Sequence, residues 1–112
     1  PEPTPAKPVE PLSVSFTESA RRALKNPEKA KLVGAMLKRY QESPELCDVQ
    51  YIKESSGVYE MRLHGRSGIR VYFYRTSATD LRVLRIGDKS TQLRDVANVV
   101  KMHERESRNR NR

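Results

Sequence analysis

The sequence predicts an α+β fold: two N-terminal helices packed on an antiparallel sheet of three to four strands, with a C-terminal helix after the sheet. Three observations predict it. Residues 58–64 and 69–74 alternate with period two, residues 27–42 and 93–106 carry apolar side chains at helical spacing, and glycine-containing turns separate the alternating runs.

Each element has a local cause. Residues 1–12 hold five prolines and almost nothing that could build a core, so they are expected to be an extended, mobile lead-in. Val14 and Phe16, set between Ser13, Ser15 and Thr17, read as a short first strand. Thr17 suits a helix N-cap, with Glu18 in the first turn, where the helix dipole favours a carboxylate. Asn26 and Pro27 stop that helix and start another, Asn26 as cap and Pro27 at the first helical position, where its missing N–H is no loss. This second helix runs to about Glu42, with Val33, Met36, Leu37 and Tyr40 in one apolar stripe and Lys29, Lys31, Lys38 and Arg39 largely outside it. Ser43 and Pro44 end it, and residues 46–53 alternate weakly, as an edge strand or an irregular lead into the sheet.

The sheet proper follows the turn at Ser55, Ser56 and Gly57. Successive side chains of a strand point to opposite faces, so Tyr59, Met61 and Leu63 face one way while Glu60, Arg62 and His64 face the other. A glycine-containing loop at 64–68 closes a hairpin. In the next strand Ile69, Val71 and Phe73 go inward, which leaves Arg70, Tyr72 and Tyr74 on the surface that carries Arg62 and His64. After a turn at 76–80, Leu81, Val83, Leu84 and Ile86 outnumber Arg82 and Arg85, as expected for a strand largely buried in the sheet, with Arg85 reaching the open face. The turn Gly87-Asp88-Lys89-Ser90-Thr91-Gln92 leads into the last helix, whose Leu93, Val96, Ala97 and Val100 are expected in the core and whose end is expected near Glu106. Residues 107–112, alternating arginine with serine and asparagine, are expected to form a mobile basic tail, so the domain proper spans 13–106. Helices on one side would leave the other face of the sheet open.

Composition narrows the function. A chain of 112 residues is expected to be one domain that buries roughly two thirds of its unfolded surface without staples. The single Cys47 excludes an internal disulfide framework, and His64 and His103 have no spacing that closes a zinc site, so neither metal nor cofactor is expected. No apolar run approaches the ~18 residues of a membrane helix, and the N-terminal residues lack the blocks of a signal peptide; a soluble, cytoplasmic protein with no membrane partner is expected. Residues 1–61 hold nine Lys/Arg and nine Asp/Glu, whereas residues 62–112 hold thirteen against five, so the second part carries the whole +8. A basic half on a neutral half points to a polyanionic partner, with nucleic acid first.

The runs Tyr59-Glu60-Met61-Arg62-Leu63-His64, Gly68-Ile69-Arg70-Val71-Tyr72-Phe73 and Gly87-Asp88-Lys89-Ser90-Thr91-Gln92-Leu93-Arg94-Asp95, with paired helices before them, resemble the RelE/ParE toxin superfamily, in particular its phage-type, HigB-like addiction module killer proteins. The resemblance covers residues 13–104. It implies a RelE-like fold and the toxin of a type II toxin–antitoxin module, a metal-independent endoribonuclease that cuts mRNA on the ribosome and inhibits translation. It also implies a cognate antitoxin, often a helix-turn-helix protein in this branch. Arg62 and Arg70 match the family's sheet arginines by position, and Lys89 its basic residue after the last strand. Glu60 stands where cleaving members often have a lysine, and no aromatic residue near Asp95 matches the one that opens their last helix.

Metal-free RNA cleavage requires a base for the ribose 2′-hydroxyl, an acid for the departing 5′ oxygen and cations for the phosphoryl charge. Arg62, Arg70 and Lys89 suit the last role, and His64 is the natural acid or base because its reference pKa of about 6.5 allows both forms. Glu60 or Asp88 either acts as the base or orients an arginine. Arg66, Tyr72, Tyr74 and Arg85 would contact the RNA, the tyrosines by stacking worth about 1–3 kcal/mol per base. Plainer roles compete. Arg62 and Arg70 could simply pair with Glu60 across the hairpin, worth roughly 0.2–1 kcal/mol, and Asp88 and Ser90 could be turn and cap residues. Two other functions stay open: a ParE-like inhibitor of DNA gyrase with no catalysis, favoured by the missing lysine and aromatic residue, and a non-toxic nucleic-acid-binding module.

Overall fold

The computed structural model describes residues 12–65 and 68–110. Strand β1 (Ser13–Phe16) leads through helix α1 (Glu18–Ala23) to helix α2 (Pro27–Glu42); a 3-10 turn at Pro44–Leu46 then enters β2 (Asp48–Tyr51), β3 (Tyr59–Arg62), β4 (Arg70–Arg75) and β5 (Asp80–Gly87), and a second 3-10 turn at Lys89–Thr91 opens helix α3 (Gln92–Arg110). The strands form one sheet in the order β1-β5-β4-β3-β2. β2 to β5 are antiparallel, as the alternation predicts; β1 adds a fifth strand at the edge, parallel to β5.

The helix boundaries follow from their caps. Asn26 Oδ1 accepts from the Glu28 and Lys29 amides at 3.0 and 3.2 Å, and Pro27 occupies the first helical position. Thr17 accepts from the Ala20 amide at 3.1 Å and donates its hydroxyl to the Leu84 carbonyl at 2.5 Å, so one side chain starts α1 and ties it to β5.

Two cores lie on the two faces of the sheet. On the first, Ala20, Val33, Met36 and Tyr40 of the helices bury Tyr59, Met61, Ile69, Val71, Phe73, Leu81, Val83 and Ile86. Each Val, Leu, Ile, Phe or Met side chain among them contributes about 1.5–3 kcal/mol when fully buried. On the second, Ile52, Val58, Tyr72, Tyr74 and Leu84 pack beneath Val99 of α3, with Val96, Val100 and Met102 beside it.

The expectation of an open second face is therefore corrected: α3 covers it over β4 and β5. The cause is a slip in β5. Tyr72 pairs with Arg85 and Phe73 with Val83, so Leu84 is bulged out of register, and the phase of the alternation changes between Val83 and Ile86. The bulge turns Leu84 onto the face of Tyr72 and Tyr74, which makes that face apolar enough to require a cover. Two more expectations fall with it. Leu93 is 90% exposed and Ala97 is exposed, because α3 meets the sheet through Asp95, Val99 and His103. The helix also continues through 107–110, where a mobile tail was expected, because Arg110 lies 5.3 Å over the Tyr74 ring while Glu106, one turn earlier, accepts from the Tyr74 hydroxyl at 2.7 Å and from Arg82 at 2.9 Å. The lead-in at 1–11, Arg66 of the hairpin loop, and Arg112 lie outside the described residues. Among the described residues no helix is long and apolar enough to cross a membrane.

Candidate functional site at the basic end of the sheet

Register alone brings two of the expected cations together. Arg62 of β3 lies opposite Arg70 of β4, and Arg70 lies opposite Gly87 of β5, so the two guanidinium groups share one face at the end of the sheet where α3 begins. Lys89 joins them: Gly68, at φ +54°, sits so close to the turn after β5 that a Cβ there would lie 3.2 Å from the Lys89 Cβ. That φ favours glycine, so the hairpin can close against the turn.

A buried carboxylate organises the cluster. Glu60, 1% exposed, accepts from Arg62 Nε at 2.6 Å and from Gln92 Nε2 at 3.0 and 3.2 Å. It orients an arginine, one of the two roles the sequence left open. Tyr72, opposite Glu60 across the strands, has its hydroxyl pushed up by burial and then by the Glu60 charge, so it stays a neutral phenol.

Arg70 differs from its neighbours. Its residue is 7% exposed, yet its Nε and Nη1 meet no hydrogen-bond acceptor among the described residues. Glu60 spends its oxygens on Arg62 and Gln92, and Asp95, the next buried carboxylate, accepts from Arg85 Nε at 2.5 Å and from the Thr91 hydroxyl at 2.6 Å. Arg85 also donates from Nη1 to the Ser19 hydroxyl at 3.3 Å, so it ties α3 and α1 to β5 instead of standing open on the face.

The strip over β2 and β3 lies beyond the second core. His64, its side chain 70% exposed, lies with Nε2 2.5 Å from Asp48 Oδ2, and Gln50 donates to the other Asp48 oxygen at 2.7 Å. The Gln50 and His64 contacts hold the Asp48 carboxyl below the usual range. Asp88 is the cap of its turn: it accepts from the Ser90 amide at 2.8 Å and from the Ser90 hydroxyl at 2.5 Å, and these bonds hold its carboxyl down.

Of the residues marked from sequence, Arg62, His64, Arg70 and Lys89 thus lie at one end of the sheet. Tyr72 and Tyr74 are 0% and 4% exposed beneath α3, so neither presents a ring face for stacking, and burial first, then Glu106, pushes the Tyr74 hydroxyl up to about 12. Sequence reasoning missed Asp48, Gln92 and Asp95. The four-residue spacing between Thr91 of the 3-10 turn and Asp95 of α3 was the one available signal; Asp48 and Gln92 find their partners only through the tertiary fold.

Neither a family model nor a curated protein sequence matches this chain. Its fold matches a chain in the crystal structure of the RelB–RelE antitoxin–toxin complex from Methanococcus jannaschii, with a TM-score of 0.55 and 15% sequence identity, covering 70% of this chain and 94% of that one. At that identity the likeness is one of fold: this is an α+β chain, built on a five-stranded sheet with a C-terminal helix, whose architecture is similar to that of a chain from an antitoxin–toxin pair.

Proposed function

We propose that the chain is the toxin of a type II toxin–antitoxin module, a metal-independent endoribonuclease that cuts mRNA on the ribosome and so stops translation in the cytoplasm. The observation that carries this reading is Arg70. A buried cation normally has a carboxylate beside it, because an unpaired charge away from water costs several kcal/mol. Here the two buried carboxylates among the described residues already hold Arg62 and Arg85. Arg70, flanked by Arg62 and Lys89, therefore suits an anion brought by a ligand, and a phosphodiester is the anion that a chain of net charge +8 attracts first. In cleavage the same three groups would neutralise the charge that builds on the phosphoryl oxygens. The fold likeness to a chain of an antitoxin–toxin complex supports a cognate antitoxin as partner, here a helix-turn-helix protein that covers this end with acidic groups.

One observation favours a second reading, a DNA gyrase inhibitor without catalysis: burial of Tyr72 and Tyr74 removes the expected stacking surfaces. Expression in cells lacking an antitoxin separates the two. The first reading gives growth arrest with cleaved transcripts and intact DNA, abolished by Arg70→Ala; DNA breaks with intact transcripts establish the second and overturn the first.

A further inference from the structure

Beside the arginines, between the C-terminal end of α2 and the end of β3, lies a cavity of about 280 Å³. Its lining is mixed: Leu46, Met36 and Met61 are apolar, and Arg39, Arg62, Asp48 and His64 are polar. Its size is at the low end for ligand sites, suited to a single nucleotide of a longer chain. The mixed lining fits the same ligand: Leu46, 62% exposed, offers an apolar surface to the face of an unstacked base, while two guanidinium groups meet its phosphates. Arg62 belongs to both this cavity and the basic cluster, so a strand whose phosphate reached Arg70 would pass directly over it.

The His64–Asp48 contact gives the cavity a chemistry. Asp48 is an acceptor, so a neutral His64 carries its proton on Nε2, the nitrogen 2.5 Å from Asp48 Oδ2. Nδ1 then holds the free lone pair. A carboxylate on the far nitrogen fixes the tautomer and orients the ring, and it stabilises the imidazolium formed when Nδ1 takes a proton. Gln50, on the other Asp48 oxygen, holds the carboxylate in turn.

We infer that this cavity is the nucleotide subsite of the RNA-cleaving site, and that Asp48 is the positioning residue that presents His64 Nδ1 as general base to a ribose 2′-hydroxyl. The inference rests on the RNA-cleaving reading. His64 Nδ1 takes the 2′ proton, and the 2′ oxygen bonds to the adjacent phosphorus. The bond from phosphorus to the 5′ oxygen breaks. That oxygen leaves with the electron pair and takes a proton from water, and the resulting hydroxide recovers the proton from the imidazolium. The products are a 2′,3′-cyclic phosphate and a 5′-hydroxyl, with nothing oxidised or reduced.

The test uses the full chain, a short single-stranded RNA, and the variants Asp48→Asn, His64→Gln and Arg39→Gln. Nitrogen-15 spectra of the neutral His64 ring should show the Nε2–H tautomer in the parent and a mixture in D48N. D48N should lose about tenfold in kcat and H64Q about a hundredfold, with KM within about twofold for D48N, whereas R39Q should raise KM. Added RNA should move the methyl signals of Leu46. Unchanged tautomer and unchanged kcat in D48N would overturn the positioning role. Silent Leu46 methyls, with RNA still bound and cut in an Arg70-dependent way, would overturn the subsite and leave the RNA-cleaving reading standing. A parent that neither binds nor cuts RNA, free or on ribosomes, would overturn both.

Discussion

Glu60 is a glutamate set among cations, and its burial decides its role. At 1% exposure it holds Arg62 and Gln92, and its loss would leave those donors short of an acceptor. Arg62 keeps a side-chain exposure of 30%, so water recovers part of the loss, and Glu60→Ala should cost about 1–3 kcal/mol in urea unfolding. Glu60→Gln, which keeps the shape and an acceptor, should cost less than half as much and retain nucleic-acid binding; an equal loss in both variants would contradict a hydrogen-bonding role. At this scale the sequence was legible in part. Period-two alternation was enough to put Arg62 and Arg70 on one face. It could not show which arginine would be paired, because the groups that decide this, Gln92 and Asp95, arrive from a helix about thirty residues further along the chain.

Helix α3 is the element least legible in the sequence, because polar side chains share its contact face with Val96, Val99 and Val100. A stripe chosen by hydrophobicity passes over Asp95, His103 and Glu106 and selects Leu93 in their place. The junction at its start is tight: a Cβ on Gly87 would overlap the Asp95 carboxylate. Gly87→Ala should therefore destabilise by about 1–3 kcal/mol and loosen the first turn of α3 in amide hydrogen exchange; a neutral Gly87→Ala would contradict the packing. The other end carries a pH dependence. Burial holds His103 below its ordinary 6.5, with the Arg110 charge adding to the shift, so the unfolded chain takes up a proton before the folded one does. Stability should fall as pH drops from about 6.5 toward the folded value. For Glu106, burial acts upward, but Arg82 and Tyr74 outweigh it and hold the carboxyl below 4.5, so its contribution is lost only as pH falls below that range. Thermal unfolding at pH 7.5 and 5.5 should show a loss in the parent that is much reduced in His103→Phe. An equal loss in both would sink this assignment.

For the whole molecule, the order of elements and the four antiparallel strands could be read from turns, caps and periodicity. The parallel pairing of β1 could not, since four residues carry no record of their partner. Nor could the layer of α3, which depends on a one-residue bulge. The charge asymmetry was plain from the sequence, and its consequence can be measured: each phosphate neutralised contributes about −0.7 to the slope of log affinity against log salt for a single strand. Three cations predict a slope of about −2.

The most direct measurement joins stability and binding in one substitution, Arg70→Met. Methionine keeps the apolar stem and removes a buried guanidinium whose Nε and Nη1 have no hydrogen-bond partner among the described residues, so the variant should be at least as stable as the parent in urea. Its affinity for a short single-stranded RNA should fall at least about tenfold, and the salt slope should shrink by about 0.7. A variant that unfolds more easily by about 2 kcal/mol or more, yet binds RNA with undiminished affinity and slope, would make Arg70 a structural residue and contradict the account.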